Sequence, residues 1–98
     1  MTTKAFVKHI HVHVIPGTEG AFIKATLLKA SKSLEEEGVT GFDLLQRSEK
    51  PTSFVISQRF ATKGAETAHR ATAHYDVWRK ATDDFITEAR ITVRYLQL

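Results

Sequence analysis

The chain has 98 residues, 42% of them hydrophobic, with six phenylalanines, no cysteine and a formal charge of +3. Those values describe one domain with a core of its own, small enough that association would help it, and they exclude disulfides, thiolate chemistry and cysteine-based metal sites. Both charge signs are interspersed without a basic block, no apolar run approaches the ~18 residues of a membrane span, and no signal-peptide core opens the chain, so a cytoplasmic protein is expected.

Phe6 to Ile15 alternates strictly, with His9, His11 and His13 on one face and Ile10, Val12 and Val14 on the other, as in a strand. Pro16-Gly17 ends it. Thr18 is placed to cap a helix running to about Glu37, with Phe22, Ile23, Thr26, Leu27, Ala30 and Leu34 inward and Lys29 and Ser33 on the adjoining flank. Its last turn would hold Glu35, Glu36 and Glu37, the wrong sign for a helix C-terminus, before Gly38 at C′. Either the acidic run is solvated or one carboxylate has a partner elsewhere, for which Arg90 is the expected cation.

Thr40 to Gln46 reads as a second strand, with Phe42, Leu44 and Gln46 on one face. Arg47 to Ser53 is a polar hairpin loop containing Pro51. Phe54 to Phe60 is a third strand in which Gln58 interrupts the apolar row Phe54, Ile56 and Phe60, and a buried amide needs partners. Ile91 to Leu98 closes the chain as a fourth.

Between the third and fourth strands lie His69, His74, Tyr75 and Trp78. On one continuous helix the two histidines would stand about 140° apart. Thr72 is a good N-cap, so the helix is expected to break and restart there. Ala65, Ala68, His69 and Thr72 then form one stripe, and His74, Trp78, Ala81 and Phe85 another. Two readings stand on this spacing: a general base with a substrate-orienting group at a cavity mouth, or two hydrogen-bonded histidines beside an ordinary aromatic core.

The order β-α-β-β-α-β is the split, ferredoxin-like α+β arrangement, a four-stranded antiparallel sheet with helices on one face. Both faces of the first strand look buried, yet one domain has helices for only one of them. A second copy of the sheet would cover the other, and a homodimer is expected. The same topology serves RNA-recognition modules, but the third strand, Ser-Phe-Val-Ile-Ser-Gln-Arg-Phe, lacks their glycines and carries Ser57 where the last aromatic belongs, so no nucleic acid partner is expected. His9, His11 and His13 invite a metal reading, but no carboxylate stands at ligand spacing, and no metal is expected.

The run His11-Val12-His13-Val14-Ile15-Pro16-Gly17, then Ser33-x-x-Glu36-x-Gly38-x-x-x-Phe42-Asp43-x-Leu45-Gln46, Pro51-Thr52-x-Phe54 and above all Ala65-x-x-x-His69-x-x-Thr72-x-His74-Tyr75-x-x-Trp78 resembles the antibiotic biosynthesis monooxygenase domain family. The likeness covers nearly the whole chain and is nearest the branch of quinol monooxygenases and autoinducer-2-degrading proteins. It implies a dimeric α/β barrel whose pocket oxidises small aromatic or quinol-like substrates with oxygen and without flavin, haem or metal. His69 would be the base, His74 and Gln58 its hydrogen-bonding partners, and Phe42, Trp78, Tyr75, Lys29, Ser33 and His13 the substrate-binding set. The chemistry asks little of a protein: a base, an apolar cavity, and donors for the anion that passes an electron to oxygen. The chain departs from the branch at Lys29, where relatives carry Asn, at Gly41, where they carry Arg, and at Gln58, where they carry Glu. A cofactor-free monooxygenase or isomerase, a small-molecule-binding module, and a dimeric structural domain with a filled core are the three functions compatible with the sequence.

Overall fold

Antiparallel pairing joins β1 (Phe6–His13) to β3 (Ser53–Phe60) on one side and to β4 (Ile91–Leu96) on the other, and β2 (Val39–Gln46) completes the sheet against β3. The strand order is β2-β3-β1-β4 in this computed structural model, which describes residues 4–98. The intervening helices are α1 (Glu19–Ser33), α2 (Lys63–Arg70) and α3 (Ala73–Thr82), followed by a 3₁₀ turn at Asp83–Phe85. This is the ferredoxin-like α+β fold expected from the sequence, with the second helical segment divided in two. Among the described residues no helix is long and apolar enough to cross a membrane.

Alternation decides which side of the sheet is covered. Phe6, Lys8, Ile10 and Val12 of β1 are buried, as are Phe54, Ile56, Gln58 and Phe60 of β3, while the residues between them are at least partly exposed. The covered face holds two apolar clusters. Ile10, Val12, Val14, Phe22, Phe54, Ile56 and Trp78 form the larger, and Phe6, Val39 and Phe60 the smaller. Between them the sheet presents the register pair Lys8–Gln58, and a polar seam crosses the core there. Glu66 of α2 accepts from Arg94 at 3.1 Å, pairs with Arg70, and lies 3.8 Å from Lys8. Burial alone would raise the Glu66 carboxyl, but the Arg94 hydrogen bond and the surrounding cations bring it below its ordinary value. This network ties α2 to two strands, and no hydrophobic pattern announces it.

The α1 region corrects three expectations. The helix ends at Ser33, so Glu35, Glu36 and Glu37 lie in the following turns and not against a helix terminus. Its inward stripe is Phe22, Thr26, Lys29, Ala30 and Ser33, whereas Leu27 and Leu34 are about half exposed. The stripe has turned from the leucines toward the lysine and the small hydroxyls, because α1 packs against α3 and β2, whose Trp78 and Phe42 meet Thr26 and Lys29. Gly38 also has a different role. Its φ is not positive, so it is no left-handed cap; a Cβ there would collide with the Cβ of Ala65. The glycine lets α2 press against the start of β2.

Candidate active site

Two threonines set the helices that carry the histidines. Thr62, extended at φ −144° and ψ 164°, accepts from the Ala65 N–H at 3.1 Å and starts α2. Thr72, at φ −79° and ψ 155°, accepts from the Tyr75 N–H at 3.2 Å and starts α3. The Thr72 hydroxyl also donates to the His69 carbonyl at 2.8 Å, so one residue closes α2 and opens α3. The expected break is therefore present, and it brings the rings of His69 and His74 to 5.8 Å between centroids. Ala68 and Ala81 are exposed; the buried partners in their helices are Glu66 and Thr82.

Glu36 joins the two rings. Its Oε2 accepts from His69 Nδ1 at 2.8 Å and from His74 Nε2 at 2.6 Å. A carboxylate only accepts, so the nitrogen of each ring that faces it carries the proton. In neutral His69 the Nε2 lone pair then accepts a long hydrogen bond from the Gln58 side-chain nitrogen at 3.5 Å. Burial holds the His69 imidazole below its ordinary value, and the Lys29 and His74 charges add to that, against the pull of Glu36. The His69 ring is thus held in one orientation by Glu36, and burial disfavours its charged form. The acidic run after α1 does have its partner, but that partner is the histidine pair. Arg90 pairs with Asp83 and lies 5.7 Å from the Trp78 ring centroid, because the 3₁₀ turn brings Asp83 nearer to it than the acidic turns after α1.

Lys29 is the second unusual group. It is 2% exposed, and its ammonium has no hydrogen-bond partner. Aromatic rings surround it instead: Trp78 at 3.9 Å, Tyr75 at 4.9 Å and Phe42 at 5.7 Å from the ring centroids. Burial pushes its pKa down to about 7, helped by the charges of Lys8, Arg79 and Arg90 and opposed by Glu36. One turn further on, the Ser33 hydroxyl is also buried and unpaired, as is the carbonyl oxygen of Gln58. Trp78 donates its indole N–H to Thr26 at 3.0 Å, which fixes the ring against α1.

A groove of ≈ 390 Å³ runs between α1 and α3, walled by Ala25, Leu28, Lys29, His74, Val77 and Trp78. Its lining sorts the expected site residues. His74, Lys29 and Trp78 face the groove; Tyr75 and Phe42 stand behind Lys29; His69, Gln58 and Ser33 lie deeper, closed to solvent. His13 is elsewhere. It belongs to the opposite face of the sheet, 3.8 Å from Glu88, because strand alternation sends it away from Val12 and Val14. Glu36, which joins the site, stood in the sequence within the family-like run from Ser33 to Gln46 and as one of three carboxylates lacking a partner, but was not among the expected site residues. The potential metal-ligand set that comes together among the described residues is Glu36, His69 and His74, within 4.8 Å of one another, and not the three histidines of β1. The positive charges of Lys29, Lys8, Arg79 and Arg90 nearby oppose a dication there.

Comparison with known proteins agrees with this architecture. The chain matches a solved structure described as "Putative antibiotic biosynthesis monooxygenase from Nitrosomonas europaea" at 33% identity and a TM-score of 0.95, over 100% of this chain and 94% of that one. A Caulobacter crescentus protein of the same description superposes with a TM-score of 0.93 at 16% identity, covering 98% and 92% of the two chains. A conserved protein from Methanosarcina mazei does so at 0.90 and 16%, covering 95% and 92%. These last two likenesses speak for the fold alone. No curated protein matches significantly. The family model "Antibiotic biosynthesis monooxygenase" spans residues 5–81, taking in the sheet's first three strands, Glu36 and both histidines, and the chain belongs to that family.

Proposed function

We propose that the protein is a cofactor-independent monooxygenase for a small phenol- or quinol-like substrate, bound in the groove between α1 and α3. The observation that carries this reading is the single carboxylate oxygen of Glu36 receiving both His69 and His74, one ring deep, the other on the groove wall. A hydroxyl lying against His74 would lose its proton toward this histidine–carboxylate–histidine chain. The ionised substrate then passes one electron to oxygen in an apolar space, the two radicals recombine to a ring peroxide, and protonation with O–O cleavage releases water and leaves one oxygen on the ring as a carbonyl. Trp78, Val77 and Leu28 supply the apolar walls that hold a flat ring.

The working unit in this reading is a homodimer. The uncovered sheet face carries His9, His11, Val55, Val93 and Tyr95, and strand β4 leaves Ile91 60% and Tyr95 46% exposed. A second sheet would bury that face.

One observation favours a second reading. His69 and Gln58 are shut off from the groove, as they would be in a binding module that keeps the pocket without turnover. Oxygen uptake with a panel of quinols, catechols and phenols distinguishes the two. Turnover that is lost in His74→Ala and Glu36→Ala supports the monooxygenase; tight binding with no uptake from any substrate supports the module.

A further inference from the structure

Among the described residues, Lys29 is a buried amine whose nitrogen has no hydrogen-bond partner. An ammonium 2% exposed normally faces a carboxylate or several carbonyls, and this one faces three aromatic rings. Charges converge on it from several elements. Lys8 comes from β1, Arg79 from α3, Arg90 from the segment before β4, and Glu36 from the turns after α1. Lys32 and His74 share the same groove, and the Tyr75 phenol ring lies 4.9 Å away. Three cations against one carboxylate leave the region positive, and that carboxylate is already engaged with two histidines. The unpaired Ser33 hydroxyl adds a second donor one turn along the same helix.

We propose that Lys29 makes this groove selective for ligands bound as oxyanions, specifically phenolates or enolates whose ionised oxygen supplies the partner that the protein withholds from the lysine. The inference rests on the groove reading above but not on any reaction with oxygen. Lys29 lines the groove at the Trp78 wall, with its nitrogen folded onto the ring face and covered by it. Its stem is flexible, and the proposal requires the ammonium to turn to the groove side of that ring when the ligand enters. Binding then runs as a proton transfer. A phenol entering beside Lys29 gives up its proton, to the amine where that is neutral and to solvent where it is already charged, and the ion pair so formed is held in an apolar, positively biased surrounding. Such a pair is stronger than in water, and the phenolate is the form that gives up an electron readily. Lys29 is accordingly a specificity-determining residue of the groove, selecting acidic over neutral rings of the same shape.

The test is an equilibrium titration without oxygen, using 4-nitrophenol as the ionisable ligand and nitrobenzene as its neutral counterpart. Phenolate absorption reports the ionisation state directly. The expected result is that bound nitrophenol is phenolate at a pH roughly one unit below its own pKa, and that it binds at least about tenfold tighter than nitrobenzene. Lys29→Met, close in shape but uncharged, should lose the spectral change and bind the two ligands alike; Lys29→Arg should retain the preference. The proposal is overturned if wild-type protein binds nitrobenzene as tightly as nitrophenol, if Lys29→Met keeps the phenolate signal, or if neither ligand binds. The comparison of ligands on the wild-type protein stands whether or not the variants fold. A phenolate signal without oxygen uptake from any quinol would leave Lys29's role intact and remove the monooxygenase reading.

Discussion

Glu36 and His69 meet across 2.8 Å although they lie 33 positions apart, and the same carboxylate oxygen also accepts a hydrogen bond from His74. One side chain from the turns after α1 thereby sets the tautomer of two rings on two different helices.

Removing that carboxylate should release both rings together. Glu36→Ala is expected to lower quinol-dependent oxygen uptake by about tenfold or more and stability by about 1.5–3 kcal/mol, the range for hydrogen bonds to a charged group. Imidazole nitrogen shifts by NMR should show the Nδ1–H form of His69 losing its dominance. Unchanged tautomer populations in the variant would mean that Glu36 does not orient the ring.

The pH dependence of stability follows from His69. Its folded pKa lies below the ordinary value near ~6.5, so below that value the unfolded chain holds more proton than the folded one. The contribution is complete above the unfolded value and is lost as pH falls through the window below it, with a slope of up to about 1.4 kcal/mol per unit from this one group. Urea unfolding between mildly acidic and neutral pH measures it. His69→Phe should flatten that slope, and a variant with the wild-type slope would place the titration on another group.

Lys29 has the same sign over a higher range. The amine is held down to about 7 against an ordinary 10.5, so the empty protein gains stability as pH rises from the first value to the second. Lys29→Met removes the buried cation and should stabilise the ligand-free protein at neutral pH by about 1–4 kcal/mol, as apolar replacement of buried charges often does. The gain should shrink toward pH 10.5. A destabilised variant would show that the aromatic cage more than offsets desolvation.

Gly38→Ala should cost about 1–3 kcal/mol, because the added methyl overlaps Ala65 and pushes α2 off β2. The displacement would carry His69 with it. Thermal unfolding of the single variant and of Gly38→Ala with Ala65→Gly checks this: the second change should restore most of the loss.

Association is read by light scattering. A homodimer gives about 22 kDa, twice the 11.0 kDa chain, at micromolar concentration. Changing Ile91 and Tyr95 to Asp and Lys should give the single-chain mass; an 11.0 kDa species from the unaltered protein would leave the sheet face without its second copy.

Periodicity made most of the fold legible. Strict alternation from Phe6 to Ile15, the apolar row of β3, and a threonine where the second helical segment had to break are local signals, and the elements they announce are present within a few residues. The order of those elements then restricts the topology to few choices. The end of α1 at Ser33 was not legible, since four further helix-compatible residues follow before Gly38 and their propensity says nothing about where a carboxylate is needed.

The site divides in the same way. Two histidines five residues apart, with a capping threonine between them, can be placed on adjoining helices by sequence alone. Which carboxylate reaches them cannot, because that contact joins the turns after α1 to α2 and α3 through the packing of all three over the sheet. Arg90 illustrates the limit: charge suggested a partner among three glutamates, and geometry chose Asp83. Burial of Lys29 was equally hidden, since a lysine's position in the sequence does not reveal that three aromatic rings from two other elements will close around it. Sequence determined the elements and the residue types available for chemistry. Tertiary structure decided which of them share a boundary from which water is excluded, because desolvation and hydrogen-bond distance are properties of packed neighbours and not of any single stretch of chain.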